Sequence, residues 1–172
     1  MFDINLLVRD NVRALIPYSS ARDEFHGKEG VFLDANENPY GKLNRYPDPY
    51  QKELKSQISR IKKVPEENIF LGNGSDEIID LAYRTFCRPG IDKALAFTPT
   101  YGMYEVCAGI NDITFIKVPL TDKFQIDKDK AASALDDPFL KLIFICSPNN
   151  PTGNSINYAD IESVIAGSRC IV

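Results

Sequence analysis

The sequence is poor in the residues that build metal sites and disulfide frameworks. It contains one histidine, His26, in a charged loop, and four cysteines that form no CxxC pair. We therefore expect no metal site and no histidine-based catalytic triad, and we expect His26 to be a solvated surface residue. The wide cysteine spacing predicts reduced, structural thiols in a cytoplasmic protein.

Excess positive charge and long apolar runs are also missing. The net charge is −4, which gives no electrostatic reason to expect binding to nucleic acid or to an anionic membrane surface. Asp3, Arg9, Asp10 and Arg13 interrupt the apolar residues near the N-terminus. This argues against a signal peptide, and no run is long enough to span a bilayer. With 172 residues, 44% hydrophobic and 26% charged, the chain has the size and composition of a globular domain.

Strand-like and helix-like segments alternate along most of the chain. Strands are predicted at 68–71, 93–97, 113–118, 142–146 and 170–172. Helices are predicted after Pro49, after the turn at 72–77, and over 101–109, 127–135 and 157–167. This order implies βαβ units, and hence an α/β fold with a mostly parallel sheet flanked by helices. The chain stops within an apolar run, so we expect it to be part of a larger protein.

Three of the predicted helices carry apolar residues on one face. We expect these faces to be buried. Their members are Tyr50, Leu54, Ile58 and Ile61 in the first helix, Ile78, Ile79, Ala82 and Phe86 in the second, and Tyr158, Ile161 and Ile165 in the last.

The turn at residues 72–77 is the first of three loops that could carry chemistry. It reads Gly-Asn-Gly-Ser-Asp-Glu and leads into a helix. Glycines permit a tight turn, and the free N–H groups of a helix start can bind phosphate. The alternative is that Ser75, Asp76 and Glu77 cap the helix without any ligand. The loop is neither a Walker A motif nor GxGxxG.

The other two loops each follow a predicted strand, where open α/β sheets bind ligands. Tyr101 could stack on a planar ligand or be an ordinary rim aromatic. Asn149 and Asn150 could cap backbone groups in an Asx-turn, or one of them could donate its amide to a ligand oxygen. The Asn150–Pro151 bond also permits a cis peptide. Together the three loops describe a flat, phosphorylated, oxygen-bearing aromatic ligand, and pyridoxal phosphate fits that description.

Six segments, taken in order, resemble the histidinol-phosphate aminotransferase family of fold-type-I pyridoxal-phosphate enzymes. They are residues 15–18, 33–39, 44–47, 72–77, 99–104 and 147–153. The Asn-Pro-Thr-Gly sequence is typical of aminotransferases in general. Asn-Arg-Tyr-Pro and Pro-Thr-Tyr-Gly-Met-Tyr narrow the resemblance to the histidinol-phosphate branch.

The resemblance implies an organisation and a reaction. Residues 1–45 would form an N-terminal arm with substrate and dimer-contact loops, and residues 46–172 part of the cofactor-binding large domain. The protein would be a cytoplasmic homodimer. It would transfer an amino group between L-histidinol phosphate and 2-oxoglutarate, giving imidazole-acetol phosphate and glutamate.

The resemblance also implies roles for individual residues. Ser75 and Asp76 would bind the cofactor phosphate through their backbone N–H groups, and Tyr101 would stack on the pyridine ring. Asn150 would donate a hydrogen bond to the phenolic oxygen of that ring, and Tyr46 would contact the cofactor phosphate in the neighbouring subunit. Those expected to contact the substrate are Tyr18 and Asn36.

Members of that family are about twice as long as this chain. Their Schiff-base lysine, the aspartate that pairs with the pyridine nitrogen and two ligand-binding arginines correspond to positions beyond Val172. Because these groups supply the proton transfer and the electronic control of the cofactor, we expect no catalytic residue in 1–172 and no activity from it alone. The alternatives are a threonine-phosphate decarboxylase, an aromatic aminotransferase, or a noncatalytic phosphate-binding or assembly module.

Overall fold

The computed structural model describes residues 3–19, 25, 30–31, 33–38, 40–42 and 46–172. It divides into two compact units: Met1–Leu15 together with Asn73–Val172, here called the sheet unit, and Ile16–Gly72, here called the arm unit. His26 and the Asn44-Arg45 pair lie outside the described residues.

The sheet unit is built on three parallel strands. They are β1 (Lys93–Thr98), β2 (Thr114–Pro119) and β3 (Leu140–Phe144), in the spatial order β2-β1-β3. Lys93 lies opposite Thr114 on one side and Leu140 on the other, and a single parallel bridge joins Leu142 to Ile171. The predicted parallel sheet is therefore confirmed.

Among the described residues, two helices precede the βα region, and from residue 74 onward helices alternate with these strands. In order they are α1 (Asp10–Arg13), α2 (Lys52–Lys62), α3 (Gly74–Phe86), α4 (Met103–Ile110), α5 (Lys128–Leu135) and α6 (Tyr158–Gly167), with 3-10 turns at Ile4–Leu6 and Glu66–Asn68. In the described part, no helix is both long enough and apolar enough to cross a membrane.

Successive residues of β1 point to opposite faces of the sheet and so build two cores. Leu95 and Phe97 join a cluster with Ala131 of α5 and Val164 of α6. Ala94 joins a second cluster with residues of α3 and α4. Because helices cover both faces, the central strand is buried over four consecutive residues, as expected for a parallel strand.

The predicted strand at 68–71 is wrong. Asn68 ends the 3-10 turn, and residues 69–71 form no strand, with Phe70 68% exposed. A strand needs a hydrogen-bonding partner, and β-propensity alone does not supply one. β3 also begins and ends two residues earlier than predicted. Ile145 and Cys146 already belong to the following turn.

Two of the predicted buried faces also need correction. In α6 the buried residue is Val164, packed with Ile161, whereas Tyr158 and Ile165 are exposed. The helix has apolar residues around more than one side, so its pattern did not identify the side that meets the sheet.

The first predicted face, on α2, has no buried residue at all. The face on α3 is confirmed only in part. Ile79 is buried and Ala82 and Phe86 pack against the core, but Ile78 is partly exposed and the fully buried Tyr83 was not predicted.

Candidate functional site

The start of α3 and the turns after β1 and β3 surround one pocket of the sheet unit. Its volume is about 360 Å³, within the range of roughly 300–1,000 Å³ typical of small-molecule sites. Its lining residues are Asn73, Gly74, Ser75, Asp76, Tyr101, Tyr104, Cys146 and Asn150. Four residues predicted to contact a cofactor are therefore brought together: Ser75, Asp76, Tyr101 and Asn150.

The start of α3 forms the first wall of the pocket. Gly74 has φ +80°, a left-handed conformation that other residues adopt only with strain. Asn73 makes no side-chain cap, although the Glu77 carboxylate reaches back to accept its N–H. The N–H groups of a first helical turn have no partner within the helix. Those of Ser75 and Asp76, together with the positive end of the helix dipole, therefore suit an anion.

Tyr101 forms the second wall, and other side chains fix its position. Its hydroxyl donates to Asp76 Oδ1 over 2.9 Å, and this bond raises the pKa of the Tyr101 hydroxyl above its ordinary value. Its ring meets Tyr104 edge-on, with centroids 5.7 Å apart at 87°. Tyr104 stacks on Phe144 of β3 at 4.6 Å and 14°. The chain of rings ties the turn after β1 to the sheet.

The two asparagines of the turn at 147–153 occupy different environments. Asn149 is buried, 4% exposed, and its amide bonds to the protein itself. Asn150 is exposed and lines the pocket. The Asn149 side chain is thus used within the protein, but not in the predicted Asx-turn, because Pro151, two residues later, has no N–H to donate. Among the described residues the Asn150 side chain makes no hydrogen bond, and it lines the pocket. The Asn150–Pro151 peptide is cis, as are Thr98–Pro99 and Ser147–Pro148.

The charges around the pocket restrict the kind of ligand it could hold. Asp76 is the one carboxylate in its described lining, where neither lysine nor arginine occurs. An anionic group would therefore be met by the backbone of α3. In the described part of the chain, no group of three histidine, cysteine or acidic side chains could hold a metal ion.

Sequence reasoning missed two residues of the lining, Tyr104 and Cys146. Cys146 was expected inside a strand, but β3 ends at Phe144 and places it in the turn. Tyr104 follows Tyr101 by three residues at the start of α4. Its position in the Pro-Thr-Tyr-Gly-Met-Tyr segment was the available signal.

Three predicted site residues belong to the arm unit. Tyr18 is 88% exposed and Tyr46 62% exposed, and Asn36 is exposed as well. The backbone N–H of Tyr46 donates to Glu37 Oε1 over 3.0 Å. The roles assigned to these three residues stay predictions.

The sequence matches the family described as aminotransferase class I and II over residues 29–172. The chain belongs to the aminotransferase class I and II family. It is 53% identical to the histidinol-phosphate aminotransferase of Cytophaga hutchinsonii, covering 99% of this chain and 50% of that protein. It is 56% identical to the histidinol-phosphate aminotransferase of Bacteroides fragilis, in a match that covers 92% of this chain and 46% of that protein. The chain thus spans about half the length of the curated relatives it matches.

Solved structures support the same assignment. The histidinol-phosphate aminotransferase of Clostridium acetobutylicum superposes with a TM-score of 0.62 at 31% identity, covering 72% of this chain and 35% of that one. Cystalysin from Treponema denticola, whose structure contains pyridoxal 5'-phosphate, superposes with a TM-score of 0.63 at 22% identity. The match covers 75% of this chain and 35% of the cystalysin chain. At that identity the likeness concerns the fold alone. The predicted fold of a class I and II aminotransferase is confirmed.

Proposed function

We propose that the protein carrying this chain is a histidinol-phosphate aminotransferase with pyridoxal phosphate as its cofactor. It would transfer an amino group between L-histidinol phosphate and 2-oxoglutarate, giving imidazole-acetol phosphate and glutamate. Relatives of that name at about 50% identity support the substrate assignment. The observation that carries the proposal is the meeting, at one pocket, of a helix start whose Asn73 side chain makes no cap, a tyrosine ring held by a hydrogen bond, and the Asn150 amide.

The pocket fits the shape and charge of pyridoxal phosphate. The phosphate would be bound by the N–H groups of Ser75 and Asp76 at the start of α3, where the backbone of Gly74 disfavours a side chain. The pyridine ring would lie against Tyr101, and the Asn150 amide would donate to the phenolic oxygen. When bound, the cofactor supplies an electron sink for amino-group transfer.

The residues of this chain would bind and orient rather than move protons. The hydrogen bond to Asp76 holds the Tyr101 ring in place. Tyr104, stacked on Phe144, lines the pocket beside Tyr101. Tyr46 would contact the phosphate of a neighbouring subunit in a cytoplasmic homodimer, and Tyr18 and Asn36 would contact the substrate.

The division into an arm over 1–45 and a partial large domain over 46–172 belongs to the same proposal. No residue of 1–172 is assigned to proton transfer, so this segment alone should show no turnover.

An assay of the complete gene product tests the proposal. With pyridoxal phosphate present, we expect glutamate to form from L-histidinol phosphate and 2-oxoglutarate. Threonine phosphate should release no carbon dioxide, and tyrosine and phenylalanine should be poor amino donors. Carbon dioxide release would favour a threonine-phosphate decarboxylase, and efficient turnover of tyrosine or phenylalanine an aromatic aminotransferase. Absence of all three reactions, with no cofactor bound, would favour the noncatalytic module.

A pair of tyrosine variants tests the site. Tyr101→Ala removes the proposed stacking ring, and since such ring contacts contribute about 0.5–1.5 kcal/mol we expect roughly two- to tenfold weaker cofactor binding. Tyr158→Ala removes a tyrosine that is 73% exposed on α6, and should leave cofactor binding unchanged. Equal effects of the two substitutions would contradict the assignment of Tyr101.

A further inference from the structure

Asn149 has an unusual environment for a side chain in a turn. Among the described residues, Asn149 and Asp92 are the buried side chains that carry an amide or a charge. Burying an amide is unfavourable unless its donors and acceptor are satisfied. Asn149 Nδ2 donates to the carbonyl oxygen of Pro99 over 2.9 Å and to Thr152 Oγ1 over 2.7 Å. Its Oδ1 accepts from Thr100 Oγ1 over 3.1 Å.

These bonds join two turns that follow neighbouring strands. Pro99 and Thr100 follow β1, whereas Thr152 lies in the turn after β3. The backbone of Asn149 also closes its own turn. Its N–H donates to the Asn154 carbonyl oxygen over 2.8 Å, and its carbonyl oxygen accepts from the Gly153 N–H over 2.7 Å.

The bridge lies beside both polar groups of the proposed cofactor pocket. Thr100 directly precedes Tyr101, and Asn149 directly precedes Asn150. Tyr101 and Asn150 line the pocket, whereas Asn149 does not. Asn149 can therefore influence a ligand by fixing the positions of Tyr101 and Asn150. Small displacements of binding groups strongly weaken recognition.

We propose that Asn149 is a positioning residue whose buried amide sets the separation between the Tyr101 ring and the Asn150 amide. This inference rests on the proposed function, because it takes pyridoxal phosphate as the ligand of the pocket. It predicts that loss of the two Nδ2 donations loosens both contacts to the cofactor at once.

The test compares Asn149→Ala with Asn111→Ala in the complete gene product. Asn111 is a matched control, since its Nδ2 also makes two donations, to Asp80 Oδ1 over 2.8 Å and to the Cys107 carbonyl oxygen over 2.9 Å. It lies outside the pocket lining, after α4. The readouts are the Kd of pyridoxal phosphate, the visible circular dichroism of the bound cofactor, and the thermal midpoint.

We expect both substitutions to lower the thermal midpoint. Of the two, only Asn149→Ala should also change the circular dichroism band and raise the Kd of pyridoxal phosphate. The expected rise in Kd is about tenfold, which corresponds to about 1.4 kcal/mol. Asn149→Asp, of nearly equal volume but lacking both donations when ionised, should do the same. Thr100→Val removes only the hydrogen bond from Thr100 Oγ1 to Asn149 Oδ1, at nearly constant shape, and should raise Kd by less than Asn149→Ala does. This variant tests the proposal even if the Asn149 variants do not fold.

The outcomes separate the two proposals. If the unsubstituted protein binds no pyridoxal phosphate, the proposed function is wrong. If it binds but Kd and the circular dichroism band are unchanged in every folded variant at Asn149 and Thr100, the positioning role is wrong. The same conclusion follows if Asn111→Ala changes both readouts equally.

Discussion

Replacing Asp92 with asparagine tests how the chain anchors α3 to the central strand. Asp92 directly precedes β1, and its side chain is completely buried. Its carboxylate accepts three hydrogen bonds from Arg88: from the backbone N–H over 2.7 Å, from Nε over 2.9 Å and from Nη2 over 2.7 Å. The substitution keeps the size of the side chain and removes its charge.

The expected loss in the free energy of unfolding is about 1.5–3 kcal/mol, the contribution of one hydrogen bond to a charged group. Asparagine keeps a single acceptor oxygen, so at least one of the three bonds is lost. Its amide nitrogen, itself a donor, then lies opposite a donor of Arg88. Urea unfolding of the complete gene product at pH 7, followed by far-ultraviolet circular dichroism, measures the change.

The loss should depend on pH. Burial by itself would raise the pKa of Asp92, but the hydrogen bonds and charge of Arg88 outweigh burial and hold that pKa below its ordinary value of 3.8. A carboxyl whose pKa is lower in the folded state stabilises the fold above its unfolded pKa, about 3.9 for aspartate. That stabilisation disappears as the pH falls through the folded pKa. The difference between the two proteins should therefore be constant from about pH 7 to pH 5 and shrink below about pH 4.

Asp10→Asn is the control, because Asp10 also pairs with an arginine, Arg13, over 2.5 Å but is 92% exposed. Exposed pairs contribute little to stability, so this substitution should leave the urea midpoint almost unchanged. An equal effect of both substitutions, or an Asp92→Asn effect independent of pH down to pH 3, would refute the reasoning.

Three further predictions concern the core. Tyr83→Phe removes a buried hydroxyl that donates to the Tyr104 carbonyl oxygen over 2.8 Å, so the free energy of unfolding should fall by about 1 kcal/mol; an unchanged urea midpoint would contradict this. Leu95→Ala leaves a cavity in the central strand, where the side chain is 0% exposed, and should lower the same free energy by about 2–5 kcal/mol. Ile165→Ala, at a position 54% exposed, should have a much smaller effect, and similar losses would argue against the packing described. Burial raises the pKa of the Cys87 thiol to about 12, so iodoacetamide at pH 8 should alkylate Cys87 only after unfolding, as measured by mass spectrometry; rapid labelling of the native protein would show that this thiol is accessible.

The parallel sheet could be predicted from the sequence because its signals are local. The apolar runs of β1 to β3 alternate with helical patterns, and chain order then implies parallel pairing. The turns after β1 and β3 could be predicted for the same reason, since each follows a strand and carries its own polar residues, whereas the turn at 72–77 was identified from its own glycines and polar residues without a strand before it.

The errors arose where distant partners decide the structure. Residues 69–71 have the composition of a strand, but a strand forms only with a hydrogen-bonding neighbour. Tyr158 and Val164 are both apolar residues of α6, and only packing against the sheet determines that Val164 is buried. The different roles of Asn149 and Asn150 likewise depend on Pro99 and Thr100, about fifty residues earlier.

A crystal structure of the complete gene product grown with pyridoxal phosphate tests the central claim most directly. The account predicts the phosphate within hydrogen-bond distance of the Ser75 and Asp76 N–H groups, the ring stacked on Tyr101, and the phenolic oxygen beside Asn150 Nδ2. A cofactor bound elsewhere, or a phosphate group away from the start of α3, would contradict it.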